Sequence, residues 1–240
     1  MNEYEAKVND DIQSWRIKIM KPFSLMNRLS KKAQNKVNQW IPDKVHAVVT
    51  ESIKNMVKAI LIGSNITTRQ KIEPAMFSLY EKDNLVKEKL LIYRRTATVE
   101  GAGTGAGGLL MGLADFPLLL SIKVKFLFEA AAIYGFDTSK YEERLFILHI
   151  FQLAFSSDEK RRETLFIIEN WEEQKGKLMD MDWLAFQQEY RDYIDLVKML
   201  QLIPGLGAVV GAYANYNLMD DLAETAMNVY RMRIMNTLTT

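Results

Sequence analysis

Residues 101–137 read GAGTGAGGLLMGLADFPLLLSIKVKFLFEAAAIYGFD, a glycine-rich run that passes into a long apolar segment. No alternation of period two, as a strand would show, runs through it. Gly135 stands where a helix would end, because glycine adopts the left-handed conformation of a helix C-cap without strain. The stretch therefore predicts a long helix from about Leu109 to Tyr134. Lys123, Lys125 and Glu129 interrupt it, and we interpret them as its solvent edge, with Lys125 and Glu129 paired four residues apart.

Helical spacing extends through most of the rest of the chain. Apolar residues recur every three or four positions, which is typical of helices with one buried face. The predicted helices lie near residues 4–19, 25–40, 42–61, 74–93, 140–155, 157–175, 183–200 and 206–235. Ser139 and Glu142 have the spacing of a capping box. The sequence thus predicts an all-α protein of about eight to ten helices, with an N-terminal region at 1–100 and a helical core at 101–240 forming one continuous domain.

The composition excludes several classes of function. The 240 residues include 31 basic and 30 acidic side chains, so no overall positive field attracts nucleic acid. There is no cysteine and there are two histidines, which argues against disulfides, a cysteine nucleophile and a zinc site. We therefore expect no cofactor, no metal and no nucleic-acid partner.

The expected location follows from the apolar runs. The N-terminus is charged from its third residue and lacks the apolar core of a signal peptide. The longest uncharged run, 199–219, is interrupted by Pro204 and by polar residues, so we interpret it as a helix end, a turn and a helix start rather than a membrane span. These features predict a cytoplasmic protein.

Two glycine-rich segments, 101–112 and 207–214, lie far apart in the chain. Each has small residues four positions apart. A helix face built in this way lets another backbone approach closely. We favour close helix packing as the reason, and the alternative is a groove that receives a ligand or a lipid chain. The glycines of the predicted pocket are Gly105, Gly108, Gly112, Gly207 and Gly211. The pattern of Gly103, Gly105 and Gly108 resembles a dinucleotide fingerprint, but no strand precedes it, which excludes that interpretation.

Asp115 interrupts the apolar stretch two residues before Pro117. The favoured interpretation is an N-cap that starts the long helix at residue 116. The alternative is a polar anchor at the mouth of the glycine pocket, together with Pro117 and Asn215. His149 lies on an apolar helix face and is expected to be a hydrogen-bonded core residue.

A basic stretch precedes residue 44. Four side chains, Arg28, Lys31, Lys32 and Lys36, fall on the side of a predicted helix opposite its apolar stripe. A basic amphipathic helix of this kind binds anionic membrane surfaces. A solvated helix face explains the same pattern, and the sequence favours neither interpretation.

Two blocks together carry a resemblance to a known family. Residues 101–137 contain Asp115-Phe116-Pro117 and Tyr134-Gly135-Phe136-Asp137, and residues 203–233 contain Asn215 and an aromatic–basic ending. Their order and register resemble the EcsC family, although nothing specific to that family is recognised at 138–202. The resemblance implies a small bacterial protein encoded beside an ABC exporter, with the exporter's ATPase and membrane subunits as candidate partners. It implies no particular reaction.

The sequence favours a non-enzymatic accessory protein at the inner face of the membrane or on an ABC-type exporter, in contact with lipid through its glycine-rich helices. One alternative is an enzyme of hydrolase type that uses Asp115 and Asn215, with His149 nearby. Another is a purely structural helical scaffold.

Overall fold

The described part of the chain consists of helices and contains no β-strand. In the computed structural model this part comprises residues 2–21, 43–63, 76–104, 108–156, 158–180 and 210–239. Its eight helices are α1 (Glu3–Met20), α2 (Asp43–Ile62), α3 (Leu79–Thr104), α4 (Gly108–Tyr134), α5 (Tyr141–Phe155), α6 (Asp158–Glu169), α7 (Trp171–Met179) and α8 (Val210–Thr239). The all-α prediction is confirmed.

The helices predicted at 4–19, 42–61 and 140–155 are found close to their expected bounds, whereas the helix predicted at 74–93 begins at Leu79 and continues to Thr104. The helix expected at 157–175 is divided at Asn170 into α6 and α7. The helices expected at 25–40 and 183–200 lie outside the described residues. The long central helix begins at Gly108, close to the start predicted near residue 109 and not at residue 116.

The core is built around α4, α5 and α8. Helix α4 packs against α2, α3, α5 and α8, while α1 covers α8 and α6. Helix α5 is buried on every side from residue 145 to residue 153, so it has no polar face. A helix that is apolar all round belongs in the middle of a layered helical body, and this explains its place.

The helix ends show which local signals were recognised and which were missed. Ser78 and Glu81 form an unpredicted capping box at the start of α3, where the Ser78 amide and hydroxyl both donate to Glu81 Oε2 at 2.7 Å. The capping box predicted at Ser139 is wrong. Ser139 instead donates its amide and its hydroxyl to Asp137 Oδ1, because the short turn after α4 brings these two residues together. Lys140 is the N-cap residue of α5.

Candidate functional site

The long helices α3 and α8 run antiparallel in a register that two ion pairs define. Arg94 Nη1 lies 3.0 Å from Asp220 Oδ1. Arg231 Nη2 lies 2.8 Å from Asp83 Oδ2. Eleven residues separate the two partners on α3, and eleven separate them on α8. The register of the two helices is thus the same at both ion pairs. The last turns of α3 therefore lie at the same end of the bundle as the first turns of α8.

The segments of α3, α4 and α8 that lie at this end carry little charge. Three residues separate the end of α3 from the start of α4, so the first turns of α4 lie at this end too. We call residues 97–104, 108–118 and 210–217 the glycine end. Glu100 and Asp115 are its only charged residues. The fold therefore brings helix ends from both glycine-rich segments to one end of the molecule.

The predicted pocket residues are only partly described. Gly108 and Gly112 lie in α4, and Gly211 and Asn215 lie in α8, all at the glycine end. Gly105 and Gly207 lie outside the described residues, and so do the basic side chains Arg28, Lys31, Lys32 and Lys36. A meeting of the Asp115 and Asn215 side chains stays a prediction.

Asp115 is not an N-cap, which corrects the favoured interpretation of this residue. Helix α4 runs through it without a break, and Pro117 lies inside the same helix. A proline removes one backbone donor, and the burial of Phe116, Leu119 and Leu120 offsets that loss. Asp115 Oδ2 is buried and accepts no hydrogen bond from the described part of the chain.

Of the three charged residues of α4 that were predicted to form its solvent edge, Lys123 and Glu129 differ from the prediction. Lys125 is exposed, as expected. Glu129 does not pair with it, because the packing of α3 against α4 brings Lys89 Nζ to 3.0 Å and the Tyr93 hydroxyl to 2.7 Å. Lys123 is 0% exposed, and its Nζ has no hydrogen-bond partner among the described residues. Burial lowers the pKa of Lys123 to about 8.

Several apolar side chains are exposed on the hairpin of α3 and α4. Tyr93 packs against Leu119 and Ile122, so the two helices lie side by side at this level. Next to these contacts, Ile92 is 58% exposed and Leu118 is 47% exposed. Leu91 is exposed as well. Exposed apolar side chains thus occur on both helices of the hairpin, near the glycine end.

The aromatic–basic ending of α8 holds helices together. Arg233 donates to both carboxylate oxygens of Glu143 at 2.7 Å. Its guanidinium carbon lies 4.2 Å from the ring centres of Phe136 and Phe146, within the range of a cation–π contact. Arg231 makes the buried pair with Asp83. These arginines join α8 to α3 and α5.

His149 is a core residue, as predicted. Its Nδ1 donates to the Leu145 carbonyl oxygen at 2.8 Å, and its ring packs edge-on against Trp171. Burial lowers the pKa of His149 to about 4, so the imidazole is neutral at neutral pH. No group of three metal-ligating side chains occurs in the described ranges.

One cleft with a volume of about 110 Å³ lies between α1, α5, α6 and α8. Lys18 and Glu224 pair across its rim, with Nζ 2.7 Å from Oε2. Arg161 also lines it, and donates from Nη1 to the Ile19 carbonyl oxygen at the end of α1. Its charged groups serve helix contacts, and the cleft includes none of the predicted pocket residues.

The length and composition of the helices show whether any of them could cross a membrane. Among the residues that the structure describes, none of the helices combines the length and the apolar character needed to cross a bilayer.

Comparison with known proteins identifies the family. The EcsC protein family matches residues 6–235, and the chain belongs to the EcsC family. It is 52% identical over 221 residues to Protein EcsC of Bacillus subtilis (strain 168), covering 92% of each chain. It is 33% identical over 141 residues to the Uncharacterized protein YdbA of the same organism, covering 57% of this chain and 52% of that one. No solved structure matches.

Proposed function

We propose that this protein is a non-enzymatic accessory protein that docks on the inner face of the cell membrane through its glycine end. The observation that carries the proposal is the gathering of weakly charged helix ends from α3, α4 and α8 at one end of the bundle. Exposed apolar side chains on the adjoining helices, Ile92 of α3 and Leu118 of α4, support the proposal, since exposed apolar patches mark membrane or protein contacts.

The course of α2 limits how far the basic stretch can lie from the same end. Arg144 Nε donates at 3.0 Å to the carbonyl oxygen of Leu61, so α2 ends beside the start of α5, opposite the glycine end. Helix α2 has 20 residues and extends about 30 Å. Its first residue, Asp43, therefore lies towards the glycine end. Lys36 precedes Asp43 by seven residues, a length of chain that spans at most about 25 Å.

Exposed apolar side chains, together with a basic stretch that a short length of chain attaches to α2, suit a surface of anionic lipid. The exposed apolar side chains of the hairpin enter the boundary between headgroups and acyl chains, and the basic stretch binds the headgroups. Each basic residue near such a surface contributes about 1 kcal/mol. The exporter partner implied by the family resemblance then lies in the same membrane.

Vesicle flotation tests this proposal. The full-length protein is mixed with vesicles of equal parts phosphatidylcholine and phosphatidylglycerol, or of phosphatidylcholine alone. We expect flotation with the anionic vesicles and a loss of flotation in the double variant Ile92→Asp, Leu118→Asp. Changing Arg28, Lys31, Lys32 and Lys36 to Glu should weaken binding to anionic vesicles only.

The matched control carries equal exposure on other helices. Met179 of α7 is 45% exposed, close to the 47% of Leu118, and Phe166 of α6 is 57% exposed, close to the 58% of Ile92. The double variant Phe166→Asp, Met179→Asp should float as the wild type does. Equal loss of flotation in both variants would contradict docking through the glycine end. So would a wild-type protein that ignores vesicles and is captured only by the exporter's membrane subunit, which would favour a protein contact instead.

A further inference from the structure

The C-terminal turns of α1 carry basic side chains, whereas its first turn is acidic. Arg16 and Lys18 belong to α1, and the exposed Lys21 follows it directly. Ile17, which stands between two of these basic residues, is exposed as well. The buried side chains of α1 all come earlier in the helix: Val8, Ile12 and Trp15. We call residues 16–21 the basic turn.

The basic turn lies at nearly the same height along the bundle as the exposed apolar side chains of α3. Lys18 Nζ is 2.9 Å and 2.7 Å from the two carboxylate oxygens of Glu224 on α8. The two ion pairs that fix the antiparallel register of α3 and α8 place Glu224 opposite Leu90. Leu90 precedes Ile92 by two residues, a rise of about 3 Å along a helix. Lys18 and Ile92 are thus close in height.

The direction of α1 relates the basic turn to the basic stretch. Helix α1 runs from Tyr4, whose hydroxyl donates to Asp83, to Lys18 beside Glu224. Asp83 pairs with Arg231 near the far end of α8, so the C-terminal end of α1 is the one nearer the glycine end. The basic turn therefore continues in sequence into the stretch, at residues 22–42, that the proposed function assigns to lipid headgroups.

The contacts that hold the basic turn are weak. Arg16 Nη2 lies 2.7 Å from Glu169 Oε1 on α6, without the alignment of a hydrogen bond. The side chains of Arg16 and Lys18 are 41% and 65% exposed, and exposed ion pairs contribute little to stability. The cleft of about 110 Å³ lies between the basic turn and the helices below it, so the packing there is loose.

We propose that, at an anionic membrane, the basic turn exchanges Glu169 and Glu224 for lipid headgroups, so that these two carboxylates compete with the membrane for Arg16 and Lys18. Headgroup phosphates offer the two basic side chains the same sign of charge as the carboxylates. The exposed Ile17 then enters the boundary between headgroups and acyl chains, where it leaves water. The inference rests on the proposed function, because it needs an anionic membrane near this end of the bundle.

Vesicle binding by a variant without the competing carboxylates tests the inference. The full-length protein is titrated with vesicles of equal parts phosphatidylcholine and phosphatidylglycerol, or of phosphatidylcholine alone, and flotation gives the lipid concentration at half binding. In the double variant Glu169→Gln, Glu224→Gln, half binding should need about fivefold less anionic lipid, a gain of about 1 kcal/mol. Vesicles of phosphatidylcholine alone should show no gain, and a variant that binds anionic vesicles no better than the wild type would overturn the inference.

The matched control loses the same charge away from α1. Glu51 of α2 pairs with Lys54, and Glu172 of α7 pairs with Lys175, each three residues further along its own helix. The double variant Glu51→Gln, Glu172→Gln therefore also removes two carboxylates that pair with lysines. It should gain less than about twofold in anionic lipid affinity. An equal gain in the control would overturn the inference, because net charge alone would then explain the result.

A second comparison asks whether the gain acts through the basic turn. Arg16→Gln, Lys18→Gln is measured with and without Glu169→Gln, Glu224→Gln, and circular dichroism checks that each variant is folded. The two variants should bind anionic vesicles alike, since the carboxylates then have nothing to compete for. A fivefold gain that persists without Arg16 and Lys18 would overturn the inference.

These outcomes separate the inference from docking through the glycine end. If the wild type floats and loss of Glu169 and Glu224 brings no gain, the basic turn stays on its carboxylates and glycine-end docking stands. If the gain occurs while Ile92→Asp, Leu118→Asp floats as the wild type does, the basic turn binds lipid and the glycine end does not. Failure of every variant to bind anionic vesicles overturns both.

Discussion

Tyr134 of α4 donates its hydroxyl to Oδ1 of Asp83 on α3 at 2.5 Å. The same carboxylate accepts from Tyr4 of α1 at 2.5 Å and from Nε and Nη2 of Arg231 on α8. Four helices thus meet at one buried carboxylate. Burial and the neighbouring Asp83 carboxylate raise the pKa of Tyr4 to about 12, so the Tyr4 hydroxyl keeps its proton at neutral pH. We call these residues the Asp83 cluster.

Removing the arginine of the Asp83 cluster should strongly destabilise the fold. Arg231→Met leaves a buried carboxylate without its counter-ion, and such changes cost about 3–5 kcal/mol. Urea unfolding followed by circular dichroism measures the loss. The control is Asp220→Asn, which breaks the more exposed pair with Arg94 and should cost less than about 1 kcal/mol. If the two variants lost similar amounts of unfolding free energy, burial would not explain how much the Asp83 cluster stabilises the protein.

Two glycines should respond to alanine in opposite directions. Gly135 ends α4 with φ 100°, and the Phe136 amide donates to the Ala131 carbonyl oxygen at 2.9 Å. A Cβ is strained there, so Gly135→Ala should destabilise the protein by about 1–2 kcal/mol. Gly176 lies inside α7, and a Cβ built on it meets nothing within 4 Å. Gly176→Ala should therefore stabilise the protein by up to about 1 kcal/mol. Thermal unfolding of the two variants, measured side by side, gives the sign of each stability change. A Gly135→Ala variant more stable than the wild type would contradict the prediction that a Cβ is strained at this helix end.

His149 should make stability depend on pH between about 4 and 6.5. Its pKa is about 4 in the fold, below the ordinary value of 6.5, because burial disfavours the imidazolium. The unfolded chain thus binds a proton in this range when the folded chain does not, and stability falls as the pH falls from 6.5 to 4, by at most about 3 kcal/mol.

His149→Gln should flatten that dependence, whereas His46→Gln, which changes the other histidine, should keep it. Urea unfolding at a series of pH values from 4 to 7 measures both variants. An unchanged pH profile in His149→Gln would mean that other groups cause the acid sensitivity.

Lys123 should destabilise the protein at neutral pH. Its folded pKa of about 8 lies below the ordinary 10.5, so the unfolded chain holds the proton more tightly. The penalty is complete below pH 8 and fades as the pH rises to 10.5. Lys123→Met should be more stable than the wild type at pH 7, by up to about 3 kcal/mol, and the gain should shrink towards pH 10.

Lys125, an exposed lysine two residues away on the same helix, supplies the comparison for Lys123. Lys125→Met should change stability little and equally at both pH values, as thermal unfolding would record. A Lys123→Met variant less stable than the wild type at pH 7 would show that the ammonium has a partner.

The helices could be predicted from the sequence because their signals are local. Apolar spacing located α1, α2, α4 and α5, and Gly135 marked the end of α4. Family membership could also be predicted, because two ordered blocks of residues carried it. The N-cap at Asp115 failed for a tertiary reason, since packing of apolar side chains keeps α4 helical through Pro117.

What the sequence determined by itself is thus the place of most of the described helices, through spacing, capping and breaking residues within a few positions of each other. Which charges are paired was decided only by the tertiary structure. Glu129 pairs with Lys89 rather than Lys125, Asp83 meets Arg231 across 148 residues of chain, and Lys123 is enclosed. Each outcome depends on how long helices pack against one another, and their register is set by the summed contacts of whole faces rather than by any local motif.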